Sequence, residues 1–149
     1  MIVVSDASPI IALFEIGRLE LLKEVFGEVI VTDVVAVETQ MALPDWIAVR
    51  TDYNYEAYQQ LCNKLDRGEA SAIALTKSIK GATLLIDERK GRAIAARIGI
   101  SYVGLLGVIV MAKKQQVVEL GMPILNALIA NGFRVSDSII ELIKARLGE

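Results

Sequence analysis

Apolar residues in this chain come as short uncharged runs separated by stretches with helical spacing. Ile2 to Val4 is apolar and β-branched and is closed by Ser5-Asp6, which predicts a buried strand. Val29 to Val31 and Leu84 to Ile86 read the same way, and Trp46 to Val49 and Ile100 to Val103 predict two shorter strands. Between them the spacing turns helical. Ser8-Pro9 predicts a helix start, with Ser8 as N-cap and Pro9 at the first helical position, and Gly17 ends that helix. Further helices are predicted over Arg18 to Phe26, from Thr32 to Met41, over Tyr53 to Leu65, Glu69 to Ile79, Arg89 to Ile98 with Gly99 closing it, and Leu105 to Lys114. Leu120 to Ala130 and Ser136 to Leu147 predict a helical pair joined at Asn131-Gly132. Continuous apolar strands alternating with helices predict a three-layer α/β/α fold with a central, mainly parallel sheet. The 149 residues fit one domain, 1–149, with a C-terminal helical extension packed on it from about residue 116.

Composition narrows the chemistry. Apolar residues at 54% and charged residues at 23% exclude a disordered chain. There is no histidine, so imidazole bases, His-based triads and His-zinc sites are excluded. A single cysteine, Cys62, excludes an internal disulfide and a Cys-zinc cluster, and without a His partner it reads as a packing residue. Hydrolytic chemistry must therefore run on carboxylates, hydroxyls, Lys or Arg. The N-terminus has no basic run ahead of its apolar segment, and the longest uncharged stretch, Ile98 to Ala112, falls short of the roughly 20 residues of a membrane span. A cytoplasmic protein is expected. Net charge is −2, split as −5 over residues 1–86 and +3 over 87–149. The excess of bases is densest at Arg89, Lys90, Arg92 and Arg97, a local cluster suited to phosphate rather than to general nucleic-acid coating.

Four acids stand where packing alone explains them poorly. Asp6 and Asp87 each follow an apolar strand directly, and in open α/β sheets sites form at the carboxyl ends of strands. Taken singly, either one also fits a turn residue. Glu38 is predicted to share a helix face with Val34, Val37 and Met41, an apolar stripe in which a carboxylate is costly unless paired or metal-bound. Glu69 shares a face with Leu65, Ala72 and Ile73, but Asp66-Arg67-Gly68-Glu69 equally fits a capping box with Asp66 as N-cap. Carboxylates gathered together repel one another, and a hard divalent cation removes that cost. Mg²⁺ or Mn²⁺ held by oxygens suits phosphodiester hydrolysis.

The blocks VSDASPIIAL, VTDVVAVE, LDRGEASAIAL and LLIDERKGRAIAARIGI, with the tail GFRVSDSIIELIKA, resemble PIN-domain proteins. The chain is similar to the VapC-type toxin ribonucleases, and more closely to another bacterial and archaeal branch of that family. The resemblance covers nearly the whole chain. It maps the family's acidic quartet onto Asp6, Glu38, Glu69 and Asp87, as catalytic and metal-holding residues. It implies a parallel sheet between helices, Mg²⁺- or Mn²⁺-dependent cleavage of RNA, a small antitoxin partner and a homodimer. Two positions depart from the pattern. Leu85 stands where many members have Thr, and Arg89 where many have a further acid. Glu at position 69, in place of Asp, reaches one methylene further.

Ser8 is a candidate hydrogen-bond partner for Asp6 or for the substrate phosphate, as well as an N-cap. Arg89, Lys90 and Arg92 are candidate phosphate contacts, or a solvated helix face. Trp46, Tyr53, Tyr55 and Tyr58 are an aromatic concentration suited to packing, with base stacking as the functional alternative. Gly104 and Gly107 lack phosphate-loop spacing and read as turn or close-packing glycines. Two other functions fit the same residues: a PIN-like module that has lost catalysis and binds RNA or a protein, and a phosphatase acting on small esters. Asp6-Ala7-Ser8 lacks the second Asp that dehalogenase-type phosphatases carry after their first strand.

Overall fold

The apolar runs become the strands. In the computed structural model, which describes residues 1–149, they are β1 (Ile2–Ser5), β2 (Glu28–Thr32), β3 (Ile47–Arg50), β4 (Thr83–Leu85) and β5 (Tyr102–Val103). All neighbours pair in parallel, in the order β3-β2-β1-β4-β5. Residues 3–5 of β1 and 29–32 of β2 are buried without alternation, as expected of strands covered on both faces. The chain winds outward from β1 through β2 to β3, then crosses to β4 on the other side of β1. Winding therefore reverses between β1 and β4, and their carboxyl ends lie side by side with Ser5 opposite Leu85. A crevice outside the strand ends at such a reversal is where open α/β sheets place their sites.

Nine helices flank the sheet: α1 (Ala7–Glu15), α2 (Glu20–Phe26), α3 (Asp33–Thr39), α4 (Tyr55–Leu61), α5 (Arg67–Ser78), α6 (Arg89–Arg97), α7 (Leu105–Lys114), α8 (Met122–Ala130) and α9 (Asp137–Leu147). α5 is the central one. Every residue from Gly68 to Thr76 is buried, and the helix contacts β1, β2 and β4 as well as α3, α4 and α6. Its small residues, Gly68, Ala70, Ser71, Ala72 and Ala74, let neighbours approach closely on several sides. α8 and α9 pack on α7, and Ile124, Leu125, Leu128, Ile143 and Leu147 join the same buried cluster as the sheet. The Glu149 carboxylate holds this end together. It accepts from the Gly121 and Met122 backbone N–H groups at 2.8 and 3.0 Å and pairs with Lys113 at 2.9 Å. These donors pull its pKa down to about 2. No helix is long and apolar enough to cross a membrane.

Some boundaries differ from the sequence expectation. The first helix begins at Ala7 with Asp6, not Ser8, in the N-cap position, and Pro9 lies inside the first turn. α4 begins at Tyr55 because Asn54 caps it, accepting from the Ala57 N–H at 2.9 Å. α5 begins at Arg67, two residues before Glu69, since Asp66 caps it.

A short hydrogen-bond relay orients α3 against α5. The Val35 N–H donates to Thr32 Oγ1 at 3.1 Å, Thr32 and Ser71 hydroxyls meet at 2.7 Å, and Ser71 Oγ donates to the Gly68 carbonyl at 2.8 Å. Ser71 has spent its one proton on Gly68, so Thr32 is the donor to Ser71. All three links are buried. Thr32→Val keeps the side-chain shape but removes the cap and the link. It is expected to lower the unfolding free energy by about 1–2 kcal/mol in urea denaturation.

Candidate carboxylate site

Asp6 stands where β1 ends and α1 begins. Its N–H donates to the Leu85 carbonyl at 2.9 Å, which locks it to the end of β4. It is 6% exposed and makes no side-chain cap bond. Burial pushes its pKa up to about 6. The Ala7 N–H opposes the rise, and the neighbouring charges of Asp66, Glu38 and Asp87 add to it. Glu69, on the first turn of α5, is also 6% exposed, and burial together with Asp66 and Asp6 pushes its pKa up to about 8. Asp87 follows β4 and Ile86. Burial raises its pKa, while the Leu105 N–H, donating to Oδ1 at 3.0 Å, and the charge of Arg92 oppose the rise. Glu38 is on α3, exposed, and raised by partial desolvation and Asp66 against the Gly68 N–H and Arg67.

The four sequence-predicted acids thus lie at one end of the sheet, but Glu38 gets there differently from expected. The predicted stripe of Val34, Val37 and Met41 is packed only in part, with Val34 and Met41 partly buried against the core. Val37 is 77% exposed, and the buried residues of α3 are Val35 and Thr39. The Thr32–Ser71 link ties the start of this seven-residue helix to α5. Glu38 is placed by leaning over α5 at Gly68.

Two glycines make room for two of the carboxylates, and a third makes room for a side chain next to Asp87. A Cβ on Gly68 would overlap the Glu38 carboxylate. One on Gly104 would stand 2.6 Å from Asp87 Oδ1. One on Gly91 would stand 2.5 Å from Ile86 Cδ1 and 3.4 Å from Glu69 Oε2. Gly104 was read from the sequence as a turn or close-packing residue, and close packing is its role, with a carboxylate as the neighbour. The sequence reading also gave Asp66 only a capping role. It does cap α5, accepting from the Glu69 N–H at 2.9 Å. It is at the same time the charge shared by Asp6, Glu38 and Glu69. Its signal in the sequence was its position three residues before a candidate acid.

The remaining candidates separate. Ser8 is exposed, makes no hydrogen bond to Asp6, and borders a cleft between α1 and the end of α8. Arg89 and Arg92 line a cavity of about 660 Å³ that Asp87 also borders, whereas Lys90 is exposed outside it. Tyr58 is buried with its ring edge-on to Tyr53 at 5.4 Å, and its hydroxyl accepts from Arg67 Nε at 3.1 Å, so it packs rather than offering a free platform. Tyr55 is 63% exposed. Leu85 is fully buried and contributes packing where a Thr would contribute a hydroxyl.

The donors at this site are oxygens only, and none of the four acids is salt-bridged to a base. That chemistry fits a hard divalent cation. No three carboxylates gather closely enough here to ligate one ion together. What the fold supplies is a set of mutually destabilised acids around one crevice.

The raised pKa values have a stability consequence. A carboxyl whose folded pKa exceeds its unfolded value stabilises fully below the unfolded pKa, and that contribution is lost as pH rises through the folded value. For Asp6 and Glu69 the windows run from 3.8 to about 6 and from 4.5 to about 8. In chelator, the thermal midpoint of the protein is expected to fall between roughly pH 5 and pH 8.5. Glu69→Gln is expected to raise the midpoint at the upper pH and not at the lower. A wild-type midpoint that is flat across this range would contradict the charge arrangement.

A model of the PIN domain in the DUF3368 family matches residues 2–149. No curated protein matches the chain. The match takes in every acid described above, and the five-stranded parallel sheet flanked by helices agrees with it. On both grounds this chain belongs to the PIN-domain family.

Proposed function

We propose that this chain is a Mg²⁺- or Mn²⁺-dependent endoribonuclease that hydrolyses RNA phosphodiester bonds. PIN domains are generally nucleases and typically use divalent metals. The observation that carries the reading is that Asp6, Glu38, Glu69 and Asp87, unpaired with any base, lie near enough to feel one another's charge, directly or through Asp66, around the crevice where the sheet reverses its winding. These residues, with Asp66 beside them, would hold the metal. A bound divalent cation supplies polarisation of the phosphate and acidification of a water.

The chain's own groups do the rest. Burial and the neighbouring Asp66 and Asp6 favour the protonated form of Glu69 in the metal-free protein, and burial favours that of Asp6. The Leu105 N–H and the space at Gly104 fix the direction of Asp87. The Gly68 N–H and Arg67 favour ionised Glu38. Arg89 and Arg92 stand on the Asp87 side, where a phosphate entering the crevice meets guanidinium donors. With no histidine in the chain, no imidazole takes part.

The toxin role, with a small antitoxin as partner and a homodimer as the working form, belongs to the same proposal. Its support is the likeness to VapC-type toxins and the exposed apolar side chains of Phe14, Val37 and Val49. A second reading is a PIN module that binds RNA or a protein without cutting. It is favoured by the buried Leu85, by Arg89, and by the spacing of the carboxylates, of which no three gather on one point.

Cleavage of an end-labelled RNA pool tests the first reading. Wild type is expected to cut with Mn²⁺ or Mg²⁺ and not with EDTA. Asp6→Asn and Asp87→Asn are expected to fall to background while keeping the wild-type circular dichroism spectrum. Full activity in both variants would discard the assignment. Absence of cutting together with absence of saturable Mn²⁺ binding by calorimetry would favour the non-catalytic module. Gly104→Ala, whose backbone at φ −106° accepts alanine, is expected to fold and to lose about 10²-fold in rate by displacing Asp87.

A further inference from the structure

The cavity beside Asp87 has a second wall that comes from the far end of the chain. Arg89 and Arg92 line it from α6, and Arg134 and Ser136 line it from the segment between α8 and α9. Asp87 is its only acidic lining residue. The salt bridges of the structure join Arg50 to Asp52, Lys113 to Glu149 and Lys144 to Glu141, so none of these three arginines is neutralised. Arg92 is steadied in another way. Its guanidinium carbon lies 5.2 Å from the centroid of the Tyr102 ring, an interaction that leaves its N–H donors free. Leu106, Phe133 and Val135 give the same cavity an apolar side.

Three like charges around one cavity repel each other, and the single carboxylate of Asp87, which the charge of Arg92 reaches, offsets them only in part. The guanidinium fork matches the oxygens of a phosphodiester and binds it in bidentate fashion. The apolar side suits the sugar and base edges of an unpaired nucleotide, which a duplex does not present. Asp87 borders this cavity and also acts on Asp6, so the cavity adjoins the carboxylate site.

We propose that Arg134, with Arg89 and Arg92, forms a subsite for the phosphate next to the one that is cut, so that the C-terminal segment is one wall of the path for single-stranded RNA. The inference rests on the ribonuclease reading for its ligand, and deepens it. It gives the helices after residue 116 a role in holding substrate, and it assigns a binding role to a residue that lies outside the four blocks carrying Asp6, Glu38, Glu69 and Asp87.

Binding is measured apart from cutting, by fluorescence anisotropy of a short fluorescein-labelled single-stranded oligoribonucleotide on the Asp6→Asn protein. Adding Arg134→Gln is expected to weaken binding about tenfold, the loss of one charged hydrogen-bonding contact. It is also expected to lower the slope of log affinity against log salt by about 0.7, one phosphate contact on a single strand. Arg97→Gln removes the same charge from α6 but lines a different cavity, and is expected to leave both quantities unchanged. Equal affinities for the parent, the Arg134 variant and the Arg97 variant would overturn the subsite. Equal weakening by the two would also overturn it, since net charge alone would then be responsible. Selective weakening by Arg134→Gln, beside a wild type that cuts no RNA, would keep the subsite and discard the nuclease.

Discussion

Repulsion among buried carboxylates is the constraint around which this molecule is arranged. Asp6 and Glu69 are almost wholly buried, Asp87 partly so, and Asp66 and Glu38 add their charges to the same crevice. In its ionised form such a group lowers the stability of the fold. Burial disfavours the ionised form, and each added neighbour disfavours it further. The chain nevertheless spends backbone N–H groups on these acids. Ala7 serves Asp6, Leu105 serves Asp87, Gly68 serves Glu38, and Asp66 is held by the N–H of Glu69. These donors come mostly from helix N-termini, whose dipoles favour negative charge. The helix starts at the reversal point of the sheet thus do two things. They begin the crossovers, and they hold acids that the core would otherwise reject.

Much of this was legible from residue order, and the failures have identifiable causes. Asp6 and Asp87 could be placed because each follows an apolar run, and the end of a buried strand fixes a direction. Glu38 could not be placed by the same reasoning. Its helix has only seven residues, about two turns, and a buried hydroxyl relay from Thr32 to Gly68 ties it to α5 across residues far apart in sequence. Ser8 looked like a cap because Ser before Pro usually is one, yet the strand end had already committed Asp6 to that position. Asp66 looked like a cap and is one. Nothing local says that a capping carboxylate also stands among three others. Arg134 was invisible for a similar reason, since only the docking of α8 and α9 on α7 brings its segment to α6.

The glycines show where sequence reasoning can be sharpened. Gly68, Gly91 and Gly104 do not share a spacing, a turn type or a motif. What they share is a carboxylate, or the side chain beside one, where a Cβ would stand. Gly68 and Gly91 lie inside helices, positions where glycine costs about 1 kcal/mol relative to alanine. Glycine inside a helix beside a candidate acid is therefore a signal in its own right. It marks a place where the neighbour, not the backbone, requires the missing methyl.

Charge distribution ties the two ends of the chain together. The acids come mainly from the first half of the sequence, and the uncompensated arginines from the second. Folding does not mix them into ion pairs, for the acids of the crevice and the arginines of the adjoining cavity remain unbridged. Only Asp87 and Arg92 approach the boundary from either side. Two opposite fields kept apart within one crevice are costly for a structure and useful for a polyanion that must also meet a cation. The acidic side disfavours phosphate until its charge is neutralised. The basic side favours phosphate at once. A strand would therefore be held first at its flank, with the bond between the fields waiting on the neutralisation of the acids.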